Sequence, residues 1–244
     1  MIKCCKVIPI YFGQRRCPYT RENGVLELAE YLYENEKKVD PGPGLTVDTI
    51  FVNNSPDSEE AQKFFGSING TKTHSGKIIV VEGHNVGMSF GAYNLAFENF
   101  RDQYEYWAFT EDDLIINKDN YFIDAINQMK SDNKIGFCAF LGIGGSGGAQ
   151  HAHGGCGISS TAVLENIYKK NGCLPHAKVL SDGQSRKNWS RQIHEGEIPF
   201  TNTMVKHGFK LRQINTGTKP YIRWWTDHQK IDLMCWNSIG YVNG

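Results

Sequence analysis

The sequence lacks a surplus of charge of either sign. Lysine and arginine together number 26, as do aspartate and glutamate, which gives a formal net charge of +0 at pH 7. No global field therefore draws the chain to nucleic acid or to an anionic membrane. We expect no nucleic-acid partner, and an anionic ligand must be held by local groups.

Long hydrophobic runs are also missing. No stretch approaches the ~20 apolar residues of a membrane span. The first six residues carry neither the apolar segment nor the cleavage site of a signal peptide. The sequence therefore predicts a protein with no intrinsic membrane span and a cytoplasmic location.

The seven cysteines include no Cys-x-x-Cys pair. An odd number without paired spacing is poor material for a disulfide framework or a structural zinc site. This pattern favours reduced thiols.

Three consecutive acids, Glu111, Asp112 and Asp113, are the most informative feature that is present. They follow an aromatic, strand-like segment at 106–110. Unpaired charges at the edge of a core repel one another and are costly to desolvate. We expect a bound cation there, and the alternative is a solvated acidic turn.

Strands alternate with helices in the first half of the chain. Strand-like residues occur at 6–12, 46–52 and 77–81, with helical spacing at 22–36, 58–65 and 90–100. Residues 77–81 are continuous enough in apolar side chains to be buried on both faces. This alternation predicts an α/β fold with a mainly parallel sheet, flanked by helices, that binds ligands beyond the carboxyl ends of its strands.

The second half is less regular. Helical patterns occupy 120–130, 161–170 and 200–207, and strand-like residues occupy 135–141 and 209–214. A glycine-rich passage at 142–157 lies between them.

Four motifs resemble, in order and spacing, the nucleotide-sugar domain of family 2 glycosyltransferases. They are Pro9-x-Tyr11, the Asn53-Asn54-Ser55 turn, Asn85-x-Gly87 followed by Gly91-Ala92-x-Asn94, and Glu111-Asp112-Asp113. Residues 154–159 also look like the donor-sugar and acceptor loop of that family.

The resemblance implies a GT-A fold, a Rossmann-like α/β architecture in a single compact domain with two subregions. Residues 1–114 would bind the nucleotide sugar, and residues 115–244 the acceptor, with an aromatic tail at the C-terminus. The implied reaction is inverting, metal-dependent transfer of a sugar from a nucleoside-diphosphate sugar, with a UDP-sugar favoured, to a hydroxyl of a glycan or other acceptor.

The resemblance also implies a divalent cation, Mn²⁺ or Mg²⁺. Glu111-Asp112-Asp113 stands in place of the Asp-x-Asp motif, with Asp113 as the metal ligand and Glu111 at the first acid. His228 is a further candidate ligand. A hard cation held by oxygen ligands can neutralise a diphosphate leaving group.

The predicted donor contacts lie mostly at strand ends. They are Pro9, Tyr11, Arg15, Asn53, Asn54, Asp57, Asn85, Gly87, Asn94, Glu111, Asp112 and Gly155. For residues 53–57 a plain β-turn is an equally good interpretation, and Gly87 is equally suited to serving only a tight turn.

An acid before the last helical pattern is the predicted general base. Counting back from Gly208 places Glu197 at the family's base position, with Glu195 as the alternative. An ionised acid on a pocket rim can take the acceptor's proton. The alternative is helix N-terminal charge that interacts with the macrodipole.

Two further stretches attract attention. His151-Ala152-His153, near Cys156, lacks a second ligand pair at a recognised zinc spacing, so we interpret it as part of a flexible loop over the donor. The tail at 224–228 either stacks on a sugar ring as a lid or is packed by its tryptophans.

Two other functions stay open at this point. A nucleotidyltransferase of related fold would share the sheet and the metal acids, and would have a basic, glycine-rich loop after the first strand. Gly13-Gln14-Arg15-Arg16 imitates that loop faintly. A catalytically inactive carbohydrate-binding relative would use the aromatic tail as its platform.

Overall fold

A seven-stranded sheet forms the centre of the computed structural model, which describes residues 1–13, 25–146, 149–181, 186–214 and 222–224. The strands are β1 (Ile2–Ile10), β2 (Leu45–Asn53), β3 (Ile78–Glu82), β4 (Tyr106–Phe109), β5 (Leu114–Ile116), β6 (Ile135–Ala139), β7 (Ile143–Ser146), β8 (Ala149–Ala152), β9 (Gly157–Ser160), β10 (Lys210–Gln213) and β11 (Ile222–Trp224). The helices are α1 (Leu26–Glu36), α2 (Glu59–Ile68), α3 (Met88–Phe100), α4 (Tyr121–Ser131), α5 (Thr161–Asn171), α6 (Arg186–Arg191) and α7 (Ile198–Lys206), and a π turn (Gln192–Glu197) joins the last two.

The strand order of the main sheet is β10-β6-β9-β4-β1-β2-β3. Strand β9 runs antiparallel to both of its neighbours, and the remaining pairs, β10–β6, β4–β1, β1–β2 and β2–β3, are parallel. This confirms the predicted α/β fold with a mainly parallel sheet in a single compact domain.

The chain changes direction across the sheet beside β1. It builds β2 and β3 on one side of β1 and then crosses to place β4 on the other side. Strand β4 pairs with β1 only as far as Val7 and Phe109. A crevice opens beyond the carboxyl ends of strands at such a switch point, and ligands of open α/β sheets bind there.

Aromatic packing fixes α3 and α7 against the same face of the sheet. The ring of Tyr93 lies 4.8 Å from that of Phe109, and Phe109 lies 5.3 Å from Phe200. All three are buried. Such tilted and edge-on ring contacts stabilise the core beyond simple area burial.

A buried ion pair ties β1 to α1. Lys6 bonds Glu36, and the Thr49 hydroxyl donates to the second oxygen of Glu36 at 2.7 Å. Lys6 is 2% exposed and Glu36 7%. Both charges are therefore compensated within the fold, as buried charges must be.

Two predictions about local structure are wrong. Residues 77–81 do not lie inside the sheet, because β3 is its edge strand and its residues from Ile79 onward are partly exposed. The glycine-rich passage is not a flexible loop in its described part, because β7 and β8 pair as an antiparallel hairpin from Ile143–Ala152 to Ser146–Ala149.

None of the helices in the described ranges combines the length and the hydrophobicity that crossing a bilayer requires.

Candidate functional site

The acidic run lies in the turn between β4 and β5, at the crevice beside β1. Asp112 is buried, and so is the Oδ1 atom of Asp113. The hydroxyl of Ser89, in the first turn of α3, donates to Oε1 of Glu111 at 3.3 Å. Sequence reasoning missed Ser89, which no motif marked.

The charge of these acids acts on two buried groups. Burial raises the pKa of the Cys156 thiol well above its usual value, and the carboxylates of Glu111, Asp113 and Glu197 raise it further, against a backbone hydrogen bond from Glu111. Burial likewise raises the pKa of Tyr93, with Cys156, Glu111 and Asp113 adding to the effect. Burial is the main cause of both shifts, and the contributions of Glu111 and Asp113 to both show that these acids lie near Cys156 and Tyr93.

Gly154 lies between two of these carboxylates. Its backbone N–H donates to Oε1 of Glu197 at 2.9 Å. A Cβ at this position would lie 3.3 Å from Oε2 of Glu111, and φ is +60°, a conformation that favours glycine. The backbone can approach both acids because it carries no side chain here.

Gly155 has the same backbone conformation, with φ of +60°. A Cβ there would meet the ring of Phe90 at 2.5 Å. Its place in the structure is therefore set by packing against α3, and its predicted contact with a donor stays a prediction.

The two acids predicted as base candidates have different surroundings. Glu195 forms a double ion pair with Arg191, at 2.6 and 2.8 Å, which lowers the pKa of Glu195. Glu197 instead ends the π turn and faces Gly154. The π turn is a short stretch of π-helix, and π-helices are rare and often lie at functional sites.

The pair His151 and His153 lies against Glu197. One ligand atom of each of the three residues lies within 4.8 Å of those of the other two. Burial lowers the pKa of His153, against the charge of Glu197, which raises it. The sequence showed the His-x-His pair, in which His151 lies in β8 and His153 begins the short 3₁₀ helix that follows, but the third member is 44 positions away from His153.

The residues predicted to contact the base end β1. Pro9 is buried opposite Val52, beyond the point where β4 leaves β1, so its missing N–H costs no pairing there. The ring of Tyr11 covers the backbone of Gly13, since a Cβ on that glycine would lie 2.2 Å from it.

The turn after β2 is held by its own side chains. Asn53 accepts from the backbone N–H of Ser55 at 2.9 Å and donates to Glu82 at 3.0 Å. Asn54 is buried and Asp57 is exposed. The turn interpretation accounts for Asn53, and the nucleotide contacts of these residues stay a prediction.

Asn85, Gly87 and Asn94 anchor the segment at 174–181. The Asn85 amide donates to the Ser181 carbonyl at 2.8 Å, and Asn94 accepts from the Leu174 N–H at 2.8 Å. Gly87, with φ of +72°, donates its N–H to Val179 at 2.9 Å. The motif thus fixes the segment at 174–181 against the start of α3, and direct donor contacts stay a prediction.

Arg15 and His228 lie outside the described residues, as does most of the aromatic tail. The backbone of β11 pairs antiparallel with β5, the strand that follows the acidic run.

A separate shallow cavity of about 230 Å³ lies at the opposite edge of the sheet, lined by Tyr106, Met129, Lys130, Asn133, Ile135, Ser160, Ala162, Val163 and Phe209. It contains none of the acids described above. The crevice, where the charged groups lie, is therefore the candidate site.

No family model matches the chain, and neither does any curated protein. Solved structures do match. A CMP:2-keto-3-deoxy-manno-octonic acid synthetase complexed with CTP is 13% identical, with a TM-score of 0.53 over 97% of this chain and 99% of that one. A cytidylyltransferase from Leptospira borgpetersenii is 15% identical, with a TM-score of 0.46 over 91% and 78%. A 4-diphosphocytidyl-2C-methyl-D-erythritol synthase from Anaerococcus prevotii is 14% identical, with a TM-score of 0.45 over 93% and 92%.

The TM-score of 0.53 over almost the whole chain shows a fold shared with the CTP-bound synthetase. The prediction of an inverting glycosyltransferase is wrong, because a match that covers 97% of this chain and 99% of the other is to a synthetase complexed with CTP. The alternative, a nucleotidyltransferase of related fold, agrees better with that finding. Membership of family 2 of the glycosyltransferases is unconfirmed.

Proposed function

We propose that the chain is a metal-dependent nucleotidyltransferase, which joins the nucleotidyl group of a nucleoside triphosphate to an acceptor and releases pyrophosphate. One observation carries this proposal. Glu111 and Asp113 lie at the β1–β4 switch point of a fold that matches, over 97% of its length, a synthetase complexed with CTP. CTP is therefore the first candidate donor.

The acids suit a hard divalent cation. Carboxylate oxygens are the ligands that Mg²⁺ and Mn²⁺ prefer. Burial raises the pKa values of Cys156 and Tyr93, and the nearby carboxylates of Glu111 and Asp113 raise them further. Asp113 and Glu111 would hold the ion, with Ser89 orienting Glu111. Such an ion neutralises the charge of a triphosphate and polarises its phosphorus–oxygen bonds.

The remaining residues would bind and orient the nucleotide. Tyr11 and Asn54, at the ends of β1 and β2, would contact the base, and the segment anchored by Asn85 and Asn94 would lie beside the nucleotide. The buried rings of Phe90, Tyr93 and Phe200 pack edge-on or tilted beneath the acids.

The acceptor side is the side of Glu197, across Gly154 from Glu111. An acceptor hydroxyl needs a group that takes its proton, and Glu197 is the candidate. An acceptor phosphate is ionised at neutral pH and needs none. A Glu197→Gln variant separates the two acceptor classes, because only transfer to a hydroxyl should be slowed.

Pyrophosphate release tests the proposal. Each of the four common nucleoside triphosphates is incubated with Mg²⁺ or Mn²⁺ and a panel of anionic sugars and sugar phosphates. We expect acceptor-dependent release that is lost in Asp113→Asn and kept in Asp132→Asn, whose carboxylate pairs with Lys210 at the far edge of the sheet. Absence of release with every pair would overturn the proposal.

A further inference from the structure

We propose that His151, His153 and Glu197 form a second metal site, for a divalent transition-metal ion such as Zn²⁺. The site is separate from the acids after β4, and the inference neither uses nor requires the nucleotidyl transfer proposed above.

The three candidate ligand atoms are close together. The ligand atoms of the three residues lie within 4.8 Å of one another, and Nδ1 of His153 lies 4.0 Å from Oε1 of Glu197. Two ligands that are each ~2.1 Å from a tetrahedral zinc ion lie about 3.4 Å apart. The His153–Glu197 pair would therefore close by about 0.6 Å, and a pair at the 4.8 Å limit by about 1.4 Å.

Two hydrogen bonds hold the β7–β8 hairpin against α7. The backbone N–H of Ala152, between the two histidines, donates to the Thr201 hydroxyl at 2.8 Å. The Asn202 amide donates to the Gln150 carbonyl at 3.0 Å. Both partners lie in α7, which begins directly after Glu197, so the hairpin and the acid are fixed to each other.

Hydrogen bonds orient the ligand atoms of His151 and Glu197. Nδ1 of His151 lies 3.0 Å from the Ala149 carbonyl, which can only accept, so this nitrogen carries the proton and Nε2 keeps its lone pair. The Gly154 N–H orients the Glu197 carboxylate. Supporting hydrogen bonds of these two kinds are typical of the outer shell of metal sites.

The donor set selects the ion. Two imidazoles and one carboxylate suit zinc and other first-row transition ions, whereas Mg²⁺ prefers oxygen ligands alone. Three protein ligands leave a fourth position open. His151 is 5% exposed, while His153 and Glu197 are partly exposed, so an ion would enter from their side.

The site would adjoin the acidic run. Gly154 bonds Glu197 and also approaches Glu111, so only a glycine separates the two sets of ligands. With the ion bound, Glu197 would be a metal ligand in place of the general base considered above, and a hydroxyl at the open position would lose its proton more readily than in water.

Zinc titration of the chelator-treated protein tests the inference, with Co²⁺ as a spectroscopic substitute whose visible absorption reports a low-coordinate site. We expect one equivalent to bind, and His153→Gln to weaken binding by at least about 100-fold, the upper range for losing even an outer-shell group. His74→Gln is the matched control, because His74 is exposed and lies near Asp40, outside the site. His151→Ala should behave as His153→Gln if it folds.

Two results would overturn the inference. One is wild-type protein that binds no zinc, or binds it as tightly as His153→Gln. The other is zinc binding that Asp113→Asn removes and His153→Gln leaves intact, which would place the ion on the acidic run. Failure of nucleotidyl transfer leaves both outcomes unaffected, since neither readout uses a nucleotide.

Discussion

The backbone N–H of Gly154 donates a 2.9 Å hydrogen bond to Oε1 of Glu197. This contact connects the end of the β7–β8 hairpin to the π turn, and it brings Glu197 to the neighbourhood of Glu111. The carboxylates of the β4–β5 turn and of the π turn thereby meet at one point of the crevice.

Substitution of Gly154 should disturb that point. Gly154→Ala forces a side chain into φ of +60° and sets its Cβ 3.3 Å from Glu111. We expect a loss of about 1–2 kcal/mol in the free energy of unfolding and weaker binding of divalent cations. Urea unfolding and metal titration measure the two effects.

Gly145→Ala is the matched control, because this glycine of β7 has nothing within 4 Å of a built Cβ and an ordinary φ. Equal stability of the two variants would contradict the account of Gly154.

The Thr201 hydroxyl should be needed to hold the β7–β8 hairpin, which carries His151, against α7. Thr201→Val preserves the shape of the side chain but leaves the buried N–H of Ala152 without its acceptor. We expect a loss of about 1–3 kcal/mol and a lower affinity for zinc. Thermal unfolding and zinc titration check it, with Thr203→Val on the opposite side of α7 as control. A Thr201→Val protein as stable as Thr203→Val would refute this role.

The ion pair of Lys6 and Glu36 should be critical for stability. Glu36→Gln leaves the Lys6 ammonium buried without a counter-charge, which we expect to cost about 3–5 kcal/mol. Glu34→Gln, in the same helix, removes the partner of Lys37 at 2.5 Å in an exposed pair and should change little. The difference between the urea midpoints of the two variants is the measurement, and similar midpoints would count against the buried pair.

Alkaline pH should destabilise the protein through its buried thiols. Burial raises the pKa of Cys4 and of Cys138 from 9.0 to about 12. The unfolded chain therefore loses these protons near pH 9, while the folded chain keeps them. Their stabilising effect is complete below pH 9 and is lost as the pH rises from 9 toward 12, at up to about 1.4 kcal/mol per pH unit for each thiol.

Unfolding free energies between pH 8 and pH 10 measure this slope. Cys138→Ala should flatten it, whereas Cys173→Ala, at a partly exposed position, should not. A slope that is the same in both variants would show that the buried thiol does not contribute.

Local patterns predicted most of the fold, because burial follows periodicity. The strands at 46–52 and 135–141 and the helices at 58–65 and 161–170 recur in the structure with shifts of a few residues. The prediction that residues 77–81 are buried on both faces was wrong, because an apolar run does not show where its strand lies in the sheet. The prediction of a flexible loop in the glycine-rich passage was wrong, because its structure depends on the pairing of β7 with β8. Amino-acid composition does not encode the register of that pairing.

The candidate site could be predicted only in part. Glu111 and Asp113 were visible because they follow a strand, and strand ends converge. The relation of His151 to Glu197 was not, since it depends on the packing of β8 against α7. The acids alone did not identify the reaction. Metal-binding carboxylates at a strand end can serve any enzyme of this fold that handles a nucleotide phosphate.

Nucleotide binding is the most direct test of a metal-dependent nucleotide site at the acidic run, because it needs no knowledge of the acceptor. We expect isothermal titration to detect binding of a nucleoside triphosphate, with CTP the first candidate, only when Mg²⁺ or Mn²⁺ is present. Asp113→Asn should abolish the binding and Asp132→Asn should keep it. Metal-independent binding, or no binding of any nucleoside triphosphate by the wild-type protein, would contradict the account.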